Sequence, residues 1–263
     1  MQAAPHNIVV KVGKAPEVKL DGVQHEIFPM VLKLAAAGQN VLLVGPSGCG
    51  KTHLAGSVAQ AMNLPFGSTS VSGGVSESAL TGYLLPTGEG GKFEHVPVPF
   101  FNAFHDGHLH LVDELDGGDA NVVLVLNSAL ANGVMYIPQR VGKAEVKRHP
   151  KFVCIAAANT YGHGADMMYV GRNQLDAATL DRFYIVPMGY DKALEATLGR
   201  EEVVAFVHGL REKVESLRLR RVVSSRMVMR MEAALNAGFT MKQAKLAAVA
   251  GWSRDDLSKV GAA

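Results

Sequence analysis

The chain has 263 residues, 48% hydrophobic and 19% charged, which is enough for one large packed domain and a small one. Its net charge of +2 supplies no global field for nucleic acid or an anionic membrane, and its two cysteines exclude a disulfide framework. No apolar run reaches the length of a membrane span, and Met1–His6 lacks a basic-then-apolar leader, so the expectation is a cytoplasmic protein.

Ile8–Val12 reads as a short strand. His25–Ala37 carries Ile27, Met30, Val31 and Leu34 at helical spacing, and Gly38-Gln39-Asn40 stops it. Val41–Val44 is a continuous apolar run, the signature of a parallel strand buried on both faces. It runs into Gly45-Pro46-Ser47-Gly48-Cys49-Gly50-Lys51-Thr52-His53, which contains the full G-x-x-x-x-G-K-T phosphate-loop pattern. Apolar residues at Leu54, Val58, Ala61 and Met62 then continue as a helix, giving strand, glycine loop and helix in the required order. The glycines let backbone N–H groups curl around phosphate oxygens, and the helix N-terminus adds its positive end. Lys51 suits the outer phosphates of ATP and Thr52 suits Mg²⁺.

Phe66–Val71 reads as a second strand. Residues 72–91 are rich in Gly, Ser and Thr around a short amphipathic piece at Glu77–Leu80, and Lys92–Val98 alternates like a hairpin arm. Connections of this length are often functional. The β-rich run His108–Glu114 ends in Asp113-Glu114, a Walker B pattern. Asp113 at the strand's carboxyl end suits Mg²⁺, and Glu114 suits a general base for the attacking water. His105, His108 and His110 cluster here, but zinc-type ligand spacing is missing, and packed or solvated histidines are the simpler reading.

Val122–Leu130 reads as a helix, and Val134–Ile137 with Ala144–Lys147 as a hairpin. Phe152–Thr160 is a further buried strand whose end carries Asn159, either a water-orienting carboxamide or a turn residue. Gln174–Phe183 makes a short helix leading into a last strand, Tyr184–Val186. Arg182 before that strand is either an arginine finger for a neighbouring subunit or a surface partner of Asp181 or Asp176, and Arg172 is a second candidate. From Tyr190 onward strands vanish. Helical stripes follow at 203–217, 224–237 and 240–250, with Arg226 at the base of the second, able to face the phosphates. Arg218, Arg220 and Arg221 read as a solvated helix end in view of Glu212 and Glu215.

The order of phosphate loop, Asp113-Glu114, Asn159, Leu180-Asp181-Arg182-Phe183, Ser225-Arg226 and helical end resembles the AAA+ ATPases over essentially the whole chain. Ala158-Asn159-Thr160-Tyr161-Gly162 and Asp181-Arg182-Phe183 are most similar to the MoxR branch, in particular to the small ATPase subunit of cobaltochelatase (CobS-like). The resemblance implies an α/β fold, a three-layer αβα sandwich over 1–189 with a mostly parallel sheet, and a small helical lid over 190–263. Residues 72–98 then match an insert of that branch and 134–149 its hairpin. Asn159 is implied as sensor 1, Arg182 as arginine finger and Arg226 as sensor 2. Also implied are a homo-oligomeric ring, usually a hexamer, and a partner with a von Willebrand factor A-type domain. Remodelling of a protein is the favoured use of ATP. A nucleic-acid-directed motor or loader is the alternative, and it wants a basic, aromatic-bearing channel that the near-neutral composition does not supply.

Overall fold

The computed structural model describes residues 8–13, 17–88 and 90–261, so the Met1–His6 stretch read for a leader lies outside the described residues. The chain forms two compact units. Among the described residues, those from Ile8 to Gly45 and from Lys51 to Met188 make one, and Pro46–Gly50 together with those from Gly189 to Gly261 make the other. The sequence reading keeps residues 46–50 with the core; by their contacts they group with the helical residues.

The larger unit is built on five strands, β1 (Val41–Val44), β2 (Phe66–Ser70), β3 (Leu109–Asp113), β4 (Val153–Ala158) and β5 (Tyr184–Pro187). Their order is β5-β1-β4-β3-β2, and every pairing is parallel. Burial follows position. Every residue of the inner strands β1 and β4 is buried, which is why both read as unbroken apolar runs. The edge strand β2, Phe-Gly-Ser-Thr-Ser, alternates between exposed and half-buried. Register sets Ala158 beside Val44 and Ala156 beside Val112, so the carboxyl ends of β1, β3 and β4 come together at one rim of the sheet.

Helices Phe28–Ala36, Lys51–Ala61, Pro99–Asp106 and Ala120–Asn132 flank this sheet. The first starts at Phe28 rather than His25 because Pro29 sits in its first turn, where a missing N–H costs nothing. Pro99–Asp106 was not anticipated, although Pro99 opens it and Gly107, at φ +87°, closes it. Its Phe100 and Phe104 pack on Phe152 at 5.9 and 5.2 Å between ring centroids and join Leu126 and Leu130 in the core. Three antiparallel hairpins decorate the unit: Ile8–Val10 with Val18–Leu20, Tyr83–Pro86 with Phe93–Val96, and Val134–Tyr136 with Glu145–Lys147. The strand Val18–Leu20 had no sequence counterpart; at three residues it is too short to show a period.

The smaller unit is helical: Lys192–Glu195, Glu201–Ser216, Ser225–Asn236, Met241–Ala248 and Arg254–Val260. Val203, Val207, Leu210, Met227, Val228 and Met231 form its core. Thr240 and Gln243 make a reciprocal capping box, and Ser253 caps the last helix through Asp256 N–H. That last helix went unread. Arg221, expected to be solvated, instead holds Asp256 at 2.7 Å and lies over Trp252, anchoring it. No helix among the described residues is long and apolar enough to cross a membrane.

Candidate active site

β1 delivers the chain into the glycine loop. Gly45 donates to Ala158 O at 3.1 Å, and a Cβ there would fall 1.8 Å from the Met188 carbonyl oxygen, so only glycine fits. Gly48 and Gly50 have φ of +75° and +103°, values that L side chains rarely adopt. Their N–H groups bond to no acceptor among the described residues. Donors without internal partners in a tight turn are what an anionic ligand requires.

Lys51 opens the following helix and is only 8% exposed. Its ammonium donates to Gly45 O at 2.7 Å and to Asn159 Oδ1 at 2.9 Å. The pair joins the ends of β1 and β4, which the parallel register brings together. Thr52 and His53 are exposed, and Thr52 Oγ1 donates to Asp113 Oδ2 at 3.2 Å. Hydroxyl, carboxylate, ammonium and carboxamide are therefore linked pairwise along one rim. The two oxygens of Thr52 and Asp113 form a hard donor set of the kind Mg²⁺ accepts.

Glu114 directly follows β3 and adopts a left-handed conformation, φ 57° and ψ 40°, which is costly for a residue with a side chain. Its N–H donates to Asp113 Oδ1 at 2.9 Å, which fixes the Asp113 carboxylate. Arg172 Nη2 approaches Glu114 Oε1 at 3.6 Å. The other arm of the same guanidinium lies 3.4 Å from Asp116 Oδ1.

Asp116 is the residue that sequence reasoning missed. It is completely buried, and its Oδ2 accepts from Asn159 N–H at 3.0 Å and from Thr160 N–H and Oγ1 at 2.9 Å each. It thereby ties the turn carrying Asn159 to the residues just after β3. A carboxylate two residues beyond Asp113-Glu114 was the only available signal, and nothing local distinguishes it from a surface acid.

The arginines have separate surroundings. Arg182 hydrogen-bonds through its guanidinium to Asn127 O at 3.3 Å and to Ala178 O, and its charge also acts on nearby Asp176. Asp176 caps helix Ala177–Leu180 through Thr179 N–H, and those Thr179 bonds hold its carboxyl below the usual range. In the helical unit, Arg226 is exposed in the first turn of Ser225–Asn236. Its Cδ would lie 3.5 Å from a Cβ at Gly48. Ser224 occupies the N-cap position, yet its side chain caps nothing.

The clustered histidines part company: His105 is exposed and lies 2.6 Å from Asp106 Oδ1, whereas His110 is packed in the core. His110 is fully buried against Phe100, with Nε2 3.0 Å from Thr69 Oγ1. Burial, aided by the nearby His108, lowers its pKa from 6.5 to about 3, so it is neutral. Among the described residues no group of three potential ligands is arranged to hold a metal.

Comparison with known proteins matches this architecture. Residues 40–183 match the family model for the AAA domain (dynein-related subfamily). The chain is 31% identical over 168 residues to the uncharacterized protein YojN of Bacillus subtilis (strain 168), covering 63% of this chain and 52% of that one. It is 31% identical over 170 residues to von Willebrand factor A domain-containing protein 8 of Mus musculus, covering 60% of this chain and 9% of the mouse protein. The chain thus spans about half the length of the bacterial relative and a small part of the mouse one. The crystal structure of a proposed ATPase from Cytophaga hutchinsonii ATCC 33406 shares the fold, with a TM-score of 0.50 at 20% identity, covering 81% of this chain and 59% of that one. With a glycine-rich G-x-x-x-x-G-K-T loop at the head of a five-stranded parallel sheet and a family match across more than half its length, the chain belongs to the AAA domain family, dynein-related subfamily, and carries an AAA-type ATPase domain.

Proposed function

We propose that the chain hydrolyses ATP with Mg²⁺ and uses the energy to remodel a protein partner, working as a homo-oligomeric ring of the MoxR branch. The observation that carries the reading is the rim on which Thr52 Oγ1 and Asp113 Oδ2 lie 3.2 Å apart, with Glu114 held in a strained backbone beside them. Strain of this kind is retained where a side chain must be aimed. Residues 45–53 would cradle the phosphates, with Lys51 on the outer ones. Thr52 and Asp113 would hold Mg²⁺, which when bound neutralises charge on the phosphate oxygens. Glu114 accepts the proton of the attacking water and Asn159 orients that water. Arg182 serves a neighbouring subunit as finger and Arg226, on a helical lid over 190–263, acts as sensor 2.

A protein partner is supported by two observations. Hairpin Tyr83–Pro86 with Phe93–Val96 exposes Tyr83, Leu84, Leu85, Phe93 and Val96, between 40% and 61% each, on one two-stranded element. A similar segment also occurs within a mouse protein that contains a von Willebrand factor A domain, so a partner bearing such a domain is the candidate. CobS-like specialisation would fit the same geometry.

Glu114→Gln tests the hydrolytic reading. The variant should bind ATP and Mg²⁺ about as wild type does and lose most turnover, since only the base is removed. Wild-type turnover in a calorimetrically normal binder would refute it.

A further inference from the structure

Within the helical unit, Tyr190 reaches the phosphate loop. Its hydroxyl donates to the Ser47 carbonyl oxygen at 2.9 Å. In a planar trans peptide, the carbonyl of one residue and the N–H of the next point in opposite directions. No peptide bond among the described residues is cis. Fixing the Ser47 carbonyl toward Tyr190 therefore fixes the Gly48 N–H the other way. That N–H meets no acceptor among the described residues, at a residue whose φ of +75° favours glycine.

The tyrosine ring is itself clamped. The Arg211 guanidinium carbon lies 3.9 Å from the ring centroid. Arg211 is buried, donating through Nε to Val223 O at 2.8 Å and through both terminal nitrogens to Glu195 at 2.8 and 2.6 Å. Glu195, 1% exposed, also accepts from Ser225 Oγ at 2.7 Å and lies 2.8 Å from His208 Nε2. Burial pushes its pKa up, but the bonds from Arg211, Ser225 and His208 outweigh this and hold it down, so the carboxylate is ionised. A buried charged pair packed this closely has little freedom to turn, and the ring above it inherits that rigidity.

We propose that Tyr190 is a positioning residue for the phosphate loop: its hydroxyl aims the Gly48 N–H as a ready-made anion donor, and the Arg211–Glu195 pair locks the ring that does so. The inference rests on the reading that this loop binds nucleotide phosphates. It adds that the loop's donor geometry is imposed from outside the loop, so the cost of ordering it is met before ligand arrives.

Tyr190→Phe tests it, because the ring stays on Arg211 and only the hydroxyl is lost. Wild type, Tyr190→Phe and Lys51→Ala are titrated with ATP and Mg²⁺ by calorimetry, and ATPase kinetics and melting temperature are recorded for each. Tyr190→Phe should bind ATP about threefold to tenfold more weakly, the worth of one neutral hydrogen bond. KM should rise with kcat unchanged, since uniform binding is lost, and ligand-free melting should stay as in wild type. Tyr190→Leu, which also removes the ring from Arg211, should lose more affinity and melt earlier. If Lys51→Ala binds ATP as wild type does, the nucleotide reading falls. If Lys51→Ala fails to bind while Tyr190→Phe stays within twofold of wild type, the positioning role falls alone. A Tyr190→Phe variant in which melting temperature and kcat drop together would also overturn it, showing a general structural role instead.

Discussion

Thr160 gives both its amide and its hydroxyl to a single oxygen of Asp116, at 2.9 Å each, in a site closed to water. Asn159 N–H completes the set at 3.0 Å. One buried carboxylate thus fixes the backbone on which the Asn159 side chain reaches Lys51. Asp116→Asn keeps the shape but presents an uncharged oxygen to three donors and deprives Arg172 of a countercharge. Hydrogen bonds to a charged group are each worth about 1.5–3 kcal/mol, so the variant should lose about 2–4 kcal/mol of stability in chemical denaturation. ATP turnover should also fall, about tenfold, as Asn159 loosens. A denaturation midpoint equal to wild type would show that the carboxylate is not what holds this turn.

Arg182 spends its guanidinium on the Asn127 and Ala178 carbonyls. To serve a neighbour it must leave them, which costs little because the group is partly exposed. Arg182→Ala is expected to bind ATP normally and to hydrolyse roughly 10³-fold more slowly. Lys51→Ala should be inactive for want of nucleotide. Mixing the two should restore part of the activity, since an intact pocket then meets an intact arginine at some interfaces. Absence of recovery between co-assembling, folded variants would rule Arg182 out and turn attention to Arg172.

His110 gives a pH prediction with a definite sign. Its pKa is depressed in the fold to about 3 from 6.5, so unfolding takes up a proton anywhere between those values. The stability it contributes is complete above about pH 6.5 and is lost progressively as pH falls toward about 3. His110→Leu removes the titrating group. Its melting temperature should fall less steeply than wild type across that window in parallel scans. Equal slopes would show that His110 is not charged on unfolding there.

The exposed hairpin offers a test of partner contact that spares the chemistry. Leu85→Ser with Phe93→Ser removes two of its outward apolar groups, neither of which touches the sheet's core cluster. Basal ATP hydrolysis should persist while stimulation by a purified protein bearing a von Willebrand factor A domain is lost. Stimulation undiminished in the double variant would move the contact elsewhere.

What could be read from the sequence divides by distance along the chain. The glycine loop, Lys51 and Thr52, and Asp113-Glu114 were legible because each motif is contiguous and carries its own strand or helix signal. Asn159 was legible as a polar stop after Phe152–Ala158, a run buried throughout. Asp116, Tyr190, Glu195 and Arg211 were not. Each acts through a partner far along the chain, up to 143 residues for Tyr190 and Ser47, and neither periodicity nor composition encodes such pairings. The helix Pro99–Asp106 failed for another reason: its Pro and Gly punctuation and its apolar face of Phe100, Phe101, Ala103 and Phe104 were all present, but about two turns give little length over which to recognise a period.

Because every strand of the central sheet runs the same way, Lys51, Asp113, Glu114 and Asn159 collect at one rim, and the strands' amino ends, with Asn40 bonded to the Arg182 carbonyl, lie at the other. Lys151 is exposed there, just before β4, which runs about 20 Å to Asn159. Cys49 and Cys154 are buried at 3% and 0%, and burial pushes the Cys154 thiol up to about 12. Lys151→Cys would therefore supply a readily alkylated thiol, and energy transfer between fluorophores placed on it would test whether copies of the chain assemble, with the label kept away from Lys51 and Asp113.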